Sequence, residues 1–343
     1  MNKFLSLVLA TQMLASLLGG CGAAPEQTQT TAQPTTTTAP AVTEPAAEAG
    51  VLKVLTLGHS LALDAGHMLA LVANAEGYQE MKVATLYYSG CPLNKHVQFM
   101  TTNAEEYDLH ISSTTDPHTP PVVTKCVTMD YAVRLDYWDV IIMQGGVFEI
   151  AKDKTYTDGN IQTIQEFVNE NKLNPNAIFG WNMTWAPPTN NDLRDKYPFE
   201  DNGYYTNYQE YNDDRTALYN AITKCVDTHI VPDNTFSFMI PSGTAMENAL
   251  SGYMEEPDLH RDYVHATDFA RVMTSYLWFC KLTGVEQLTE IKLSTVPASM
   301  LNSIKTGQDW VLTDAEKALM LESVNNALKN PLEMTQSQFT VAP

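Results

Sequence analysis

From residue 51 onward the chain alternates short β-branched runs with longer amphipathic stretches, and this alternation constrains the fold more than any other feature of it. A short apolar run suits a strand buried on both faces, and a stretch with apolar side chains at helical spacing suits a helix that covers it. The pattern therefore predicts parallel strands joined by crossover helices, an α/β layer architecture. Val51 to Leu57, Met81 to Tyr88, Trp138 to Met143, Ala177 to Met183 and Thr235 to Ile240 read as five strands. Leu61 to Ala75 reads as a helix ended by Gly77, and Asn160 to Lys172, Tyr208 to Val226 and the short piece Met246 to Leu250 read as helical. His265 to Thr283, closed by Gly284, is the clearest amphipathic helix. Thr313 and Glu316 form a capping box that opens a last helix, which stops before Pro331 and is expected to pack on the domain. Two connections, roughly 96–130 and 186–207, read as long loops of the kind that more often carry function than lie idle.

Residues 1–20 carry Lys3 as their only charge ahead of the apolar stretch Phe4 to Leu18, the layout of a secretory signal and too short for a confident membrane span. Leu18-Gly19-Gly20-Cys21 looks like a bacterial lipoprotein box, so Cys21 is expected to carry a lipid that anchors an exported protein to the cell surface. An ordinary signal with a chance cysteine is the alternative. Residues 21–50, rich in Thr, Ala, Pro, Gln and Glu, have too little apolar surface to repay ordering and read as a tether. The folded domain is read as 51–330, helical extension included, with 331–343 as a tail. The net charge of −20, from 20 basic and 40 acidic side chains, excludes a nucleic-acid partner, whose phosphates demand clustered cations. A monomer is expected. Cys91, Cys126, Cys225 and Cys280 show no metal-binding spacing; buried free thiols are the first reading and a disulfide the second.

In open α/β sheets, sites form beyond the carboxyl ends of the strands. The first strand ends in Gly58-His59-Ser60 with a helix starting at once, which places a hydroxyl at the sheet edge and its amide near the positive end of a helix dipole. Ser60 is thus a candidate nucleophile, or simply a helix cap. Near the far end of the domain, Asp262 and His265 lie three residues apart, a spacing that lets a carboxylate hold Nδ1–H of an imidazole while Nε2 acts as base. His260 as base, or Asp258 or Asp268 as its partner, remain alternatives. Trp181, Trp185, Tyr204, Tyr205 and Tyr208 offer either flat platforms for sugar rings, centred on Trp185, or core packing. His110 and His118 lack further ligands at metal-binding spacing, so no metal is expected.

Gly58-His59-Ser60-Leu61, Ser89-Gly90-Cys91-Pro92-Leu93, Pro241-Ser242-Gly243-Thr244-Ala245 and Arg261-Asp262-Tyr263-Val264-His265 stand in the order and spacing of the SGNH/GDSL hydrolase superfamily, and residues 51–330 resemble a branch of it found in exported bacterial proteins. The resemblance implies a flavodoxin-like three-layer α/β/α sandwich with a five-stranded parallel sheet, and a serine esterase that needs no cofactor. It implies Ser60 as nucleophile, His265 as general base and Asp262 as its partner, with the N–H groups of Ser60 and Gly90 in the oxyanion hole. Two departures stand out. His59 occupies a position that is usually Asp or Asn, and the third block, which usually offers an asparagine amide, ends Met143-Gln144-Gly145-Gly146. Gln144 is the first choice for the missing donor and Asn182 the second, with Asn182 and Trp185 also placed at the substrate. The substrate expected is an acylated, in particular acetylated, carbohydrate or another small ester. A non-catalytic glycan-binding lipoprotein and an esterase acting on lipids are the rivals.

Overall fold

The computed structural model describes residues 50–147, 149–189, 210–211, 214–302 and 307–341. Cys21, the signal and the tether lie outside the described residues, as do Tyr204, Tyr205 and Tyr208. The strands are β1 (Val51–Gly58), β2 (Glu80–Tyr87), β3 (Tyr107–Ser113), β4 (Val122–Val127), β5 (Val140–Met143), β6 (Ile178–Asn182) and β7 (Phe236–Ile240). The helices are α1 (Ser60–Gly66), α2 (Leu69–Ala75), α3 (Leu93–Thr102), α4 (Met129–Arg134), α5 (Asp153–Thr157), α6 (Asn160–Asn171), α7 (Arg215–His229), α8 (Ser242–Leu250), α9 (Glu256–Leu259), α10 (Asp268–Thr283) and α11 (Asp314–Lys329). A small antiparallel pair, β8 (Thr295–Val296) and β9 (Trp310–Val311), follows α10.

The seven strands run in the order β4-β3-β2-β1-β5-β6-β7. The five expected strands are β1, β2, β5, β6 and β7, and they pair in parallel. The first expected loop instead contains the hairpin β3–β4, which adds two antiparallel strands at the β2 edge. Side chains alternate across the pleat. Val54, Val140 and Ile142 point into one core with α1, α2, α8, α10 and α11, whereas Leu55, Leu57, Ile141 and Met143 point into another with α3, α4, α6 and α7. Sheet and two helical layers give the flavodoxin-like sandwich. The chain leaves β1 toward β2 and returns to β5 on its other side, so the carboxyl ends of β1 and β5 flank the point where strand order reverses, where such folds form their sites.

Local chemistry explains where the helices differ from expectation. The predicted 61–75 helix is broken into α1 and α2 after Gly66, which lies against the Trp278 ring: a Cβ there would sit 3.7 Å from it. The helix expected from His265 begins at Asp268, because Thr267 caps the Ala270 N–H at 3.4 Å and leaves His265 in the preceding turn. Asp214 caps α7 in the same manner, so that helix starts at Arg215. The capping box at Thr313 is present, and α11 contributes Leu319, Met320 and Val324 to the core. Residues read as a tail are hydrogen-bonded to the body, with the Thr335 N–H donating to Asn248 Oδ1 at 2.7 Å. Cys91, Cys225 and Cys280 are buried free thiols, and burial pushes them up to about 12, 11 and 12. They are structural rather than nucleophilic.

Candidate active site

Three strand ends meet at the sheet's carboxyl edge. His59 caps α1: its Nδ1 accepts the Leu61 N–H at 3.3 Å, so the ring proton sits on Nε2, which donates to the Gly145 carbonyl at 3.0 Å. This histidine does what a carboxylate or amide does at such a turn, and it also ties the β1 end to the β5 end. It is fully enclosed, and burial, opposed by the Gly145 hydrogen bond and reinforced by the nearby His265, pushes its pKa down to about 4. The Tyr88 N–H joins the β2 end to the Gly58 carbonyl at 3.4 Å. Gly90 turns the chain with φ 59°, a left-handed conformation suited to glycine. Gly146 is pressed so close to Pro92 that an added Cβ would lie 2.9 Å from its Cα, which locks the 90–92 loop against the loop after β5.

Ser60 is the first residue of α1 and half-buried. As the first helical residue it has an N–H with no intrahelical acceptor. His265 Nδ1 lies 2.8 Å from one Asp262 carboxylate oxygen and 3.0 Å from the other. The same carboxylate accepts the N–H groups of Val264 and His265 at 2.9 and 2.8 Å. Burial alone would raise the Asp262 carboxyl, but the hydrogen bonds and charge of His265, with the two backbone donors, outweigh it and hold Asp262 below its ordinary value. With Nδ1 committed, Nε2 is the ring atom left for proton transfer. The other candidates are engaged elsewhere. His260 is buried with its Nδ1 3.2 Å from the Glu256 carbonyl, and burial pushes its pKa down to about 4. Asp258 accepts from the Glu255 N–H, and Asp268 pairs with Arg271 at 3.1 Å.

Asp64 joins the Asp262–His265 turn to the helix that Ser60 opens. Buried one turn beyond Ser60, it accepts the Ala266 N–H at 3.0 Å and Arg261 Nη1 at 3.0 Å to each oxygen, with Arg271 Nε 3.4 Å away. The His265 ring is near enough to disfavour charge on His59. Sequence reasoning missed Asp64, although a lone carboxylate among Leu61, Ala62 and Ala65 on a buried helix face was a visible sign.

Gln144 and Asn182 are both buried, and their roles differ. Asn182 Nδ2 donates to Gln144 Oε1 at 3.0 Å, so its amide is spent on its neighbour. Gln144 Nε2 has no partner, and it faces Gly58, where a Cβ would come within 3.1 Å. Trp185 is not a surface platform. It is fully buried in the core and its indole donates to the Val264 carbonyl at 2.8 Å, beside His265. Trp181 is likewise enclosed, tilted against Tyr156 and edge-on to Phe236. The aromatic ring beside the base is that of half-buried Tyr263, 6.1 Å from His265, with Tyr87 at the β2 end near Tyr263 in turn. Among the described residues no group of three or more His, Cys, Asp or Glu is arranged to hold a metal ion, and no helix is long and apolar enough to cross a membrane.

Residues 53–306 match the family model described as a domain of unknown function, DUF4886. The chain belongs to the DUF4886 family. Among solved structures it is similar to a DUF4886 family protein from Bacteroides uniformis, with a TM-score of 0.67 and 22% identity over 83% of this chain and 98% of that one. It also matches a candidate SGNH hydrolase from Slackia heliotrinireducens, with a TM-score of 0.40 and 14% identity over 67% of this chain and 97% of that one. No curated protein matches it. The fold is thus that of a solved DUF4886 protein, and the chemistry is argued from the residues.

Proposed function

We propose that this DUF4886 protein is a serine ester hydrolase. The observation that carries the reading is the Asp262–His265 pair, 2.8 Å apart, held by Asp64 on the helix that opens with Ser60. In this reading His265 Nε2 takes the Ser60 hydroxyl proton as Oγ attacks an ester carbonyl, and the carbonyl's electrons move onto its oxygen. That oxyanion is received by the N–H groups of Ser60 and Gly90 and by Gln144 Nε2. Collapse expels the alcohol, protonated by His265, and leaves an acyl-Ser60. Water activated by the same imidazole then releases the acid. The chemistry needs no metal or cofactor.

The substrate class in this reading is an acylated, chiefly acetylated, carbohydrate. Its rings would rest on Tyr263, with Tyr87 near it, rather than on Trp185, because both tyrosines keep part of their surface open and Trp185 is fully buried. Export, lipidation at Cys21 and a monomeric state belong to the same proposal, which puts the domain at the cell surface among such polymers. The test is acetate release from a panel of acetylated glycans and from a small activated ester by the purified protein and its Ser60→Ala variant. The reading expects release by the former alone. Glycan binding without release would favour a binding module, and release confined to long-chain lipid esters would favour a lipase.

A further inference from the structure

The unpaired Gln144 amide is the end of a buried hydrogen-bond chain whose direction can be worked out. Trp278 Nε1–H is a donor only, and it lies 3.1 Å from Ser242 Oγ. Ser242 therefore accepts there and sends its own proton to its other neighbour, the Asn182 side-chain oxygen at 2.7 Å. An oxygen at that position leaves Asn182 Nδ2 facing Gln144, which must answer with its oxygen, 3.0 Å away. Gln144 is then left with Nε2, a donor, at the sheet edge. Amide oxygen and nitrogen are usually interchangeable in position, but in a chain begun by an indole the reverse arrangement would leave the buried Ser242 proton without an acceptor, so this one is favoured. All four side chains are buried, with Ser242 and Trp278 fully so.

Buried donors are rarely left unpaired, since each such group costs about 1–3 kcal/mol. Here three residues from β6, α8 and α10 hold one in place. Gly58 keeps the approach open, because any side chain there would crowd Gln144 Nε2 as well as Ala62, whose Cβ would lie 2.7 Å away. A donor fixed beforehand where negative charge develops is the arrangement that stabilises an oxyanion without reorganisation.

We infer that Trp278, Ser242 and Asn182 form a one-way relay that holds the Gln144 amide with its nitrogen toward the reacting carbonyl oxygen, which makes them positioning residues for ester hydrolysis. The inference rests on the ester-hydrolase reading of the site. Its test is steady-state kinetics of the purified protein on a small activated acetate ester. Gln144→Ala should lower kcat by about 10²–10³ with KM unchanged, the usual effect of losing one oxyanion donor. Ser242→Ala should lower kcat roughly tenfold or more, again at constant KM, and Ser242→Thr, which keeps the hydroxyl, should recover most of it. The Ser242→Ala/Gln144→Ala double variant should be no slower than Gln144→Ala alone, because the relay acts only through that amide. Near-ultraviolet circular dichroism checks the fold. If Ser242→Ala fails to fold, Trp278→Phe removes the first donor and is read in the same two backgrounds. A relay variant that keeps full kcat, or slows the Gln144→Ala protein by the same factor as the native one, overturns the relay. Hydrolysis that survives Ser60→Ala overturns the reading of the site instead.

Discussion

Replacing His59 by Asn should make the protein less sensitive to acid by an amount the structure predicts. The His59 ring is neutral when folded, with its pKa pushed from 6.5 down to about 4, chiefly because it is sealed in the interior. The unfolded chain therefore binds a proton that the folded one refuses. Stability from this group is complete above 6.5 and is lost as the pH falls from there toward about 4. Between about pH 7.5 and pH 5, linkage of these two values gives a loss of about 2 kcal/mol from this one residue. His67 and His96, each pushed by burial to about 3, and His260, pushed to about 4, lose stability in the same direction. Buried Glu247, raised to about 7 from 4.5, opposes them, since what it contributes is present below 4.5 and lost toward 7. Comparison of native protein with His59→Asn cancels these other groups. Asn caps a helix well but cannot also reach the Gly145 carbonyl, so the variant should be less stable near neutrality by about 1–2 kcal/mol. Urea unfolding near pH 7.5 and again near pH 5 measures the gap, which should shrink or reverse by about 2 kcal/mol. A gap that stays constant with pH would mean that His59 titrates normally in the folded state, and would refute the burial and cap geometry from which the value follows.

Other substitutions separate chemistry from scaffold. Asp262→Asn should leave the melting temperature nearly unchanged and lower kcat by about three to four orders of magnitude, because an amide no longer holds Nδ1–H and the imidazole loses its working tautomer; ester kinetics reads this directly. Asp64→Asn leaves Arg261 without the Asp64 carboxylate and Arg271 with Asp268 as its remaining partner, and should cost about 1–3 kcal/mol in denaturant unfolding, since charge-assisted hydrogen bonds are lost while part of the counter-charge stays. Trp185→Phe should lower stability by about 1–3 kcal/mol through the orphaned Val264 carbonyl, yet leave KM for any glycan ester unchanged, which titration of substrate in the steady state would check.

The sheet's parallel half was legible because the middles of its strands, such as Val54 to Leu57 and Val140 to Met143, are buried and mostly apolar. The β3–β4 hairpin was not. From Val122 to Cys126 every β4 side chain is exposed, so no hydrophobic period marks the strand, and it exists because β3 offers it hydrogen bonds. Asp262 and His265 were readable from spacing, since three residues on a tight turn fix their distance. Whether Gln144 or Asn182 offers its amide was not, because the answer lies with Trp278 and Ser242, residues brought in from two distant helices. Trp185 misled for a related reason. An indole in a polar segment reads as a platform until the fold buries it against the turn that carries His265.

The central claim is that Ser60 is the nucleophile, and covalent labelling measures it most directly. A fluorophosphonate traps an activated serine by displacement of fluoride, and intact-mass and peptide analysis then locate the adduct. A single adduct on the peptide that holds Ser60, absent from Ser60→Ala and slowed in His265→Ala, is the predicted result. An adduct on another residue, or an unlabelled protein that still hydrolyses esters, would contradict it.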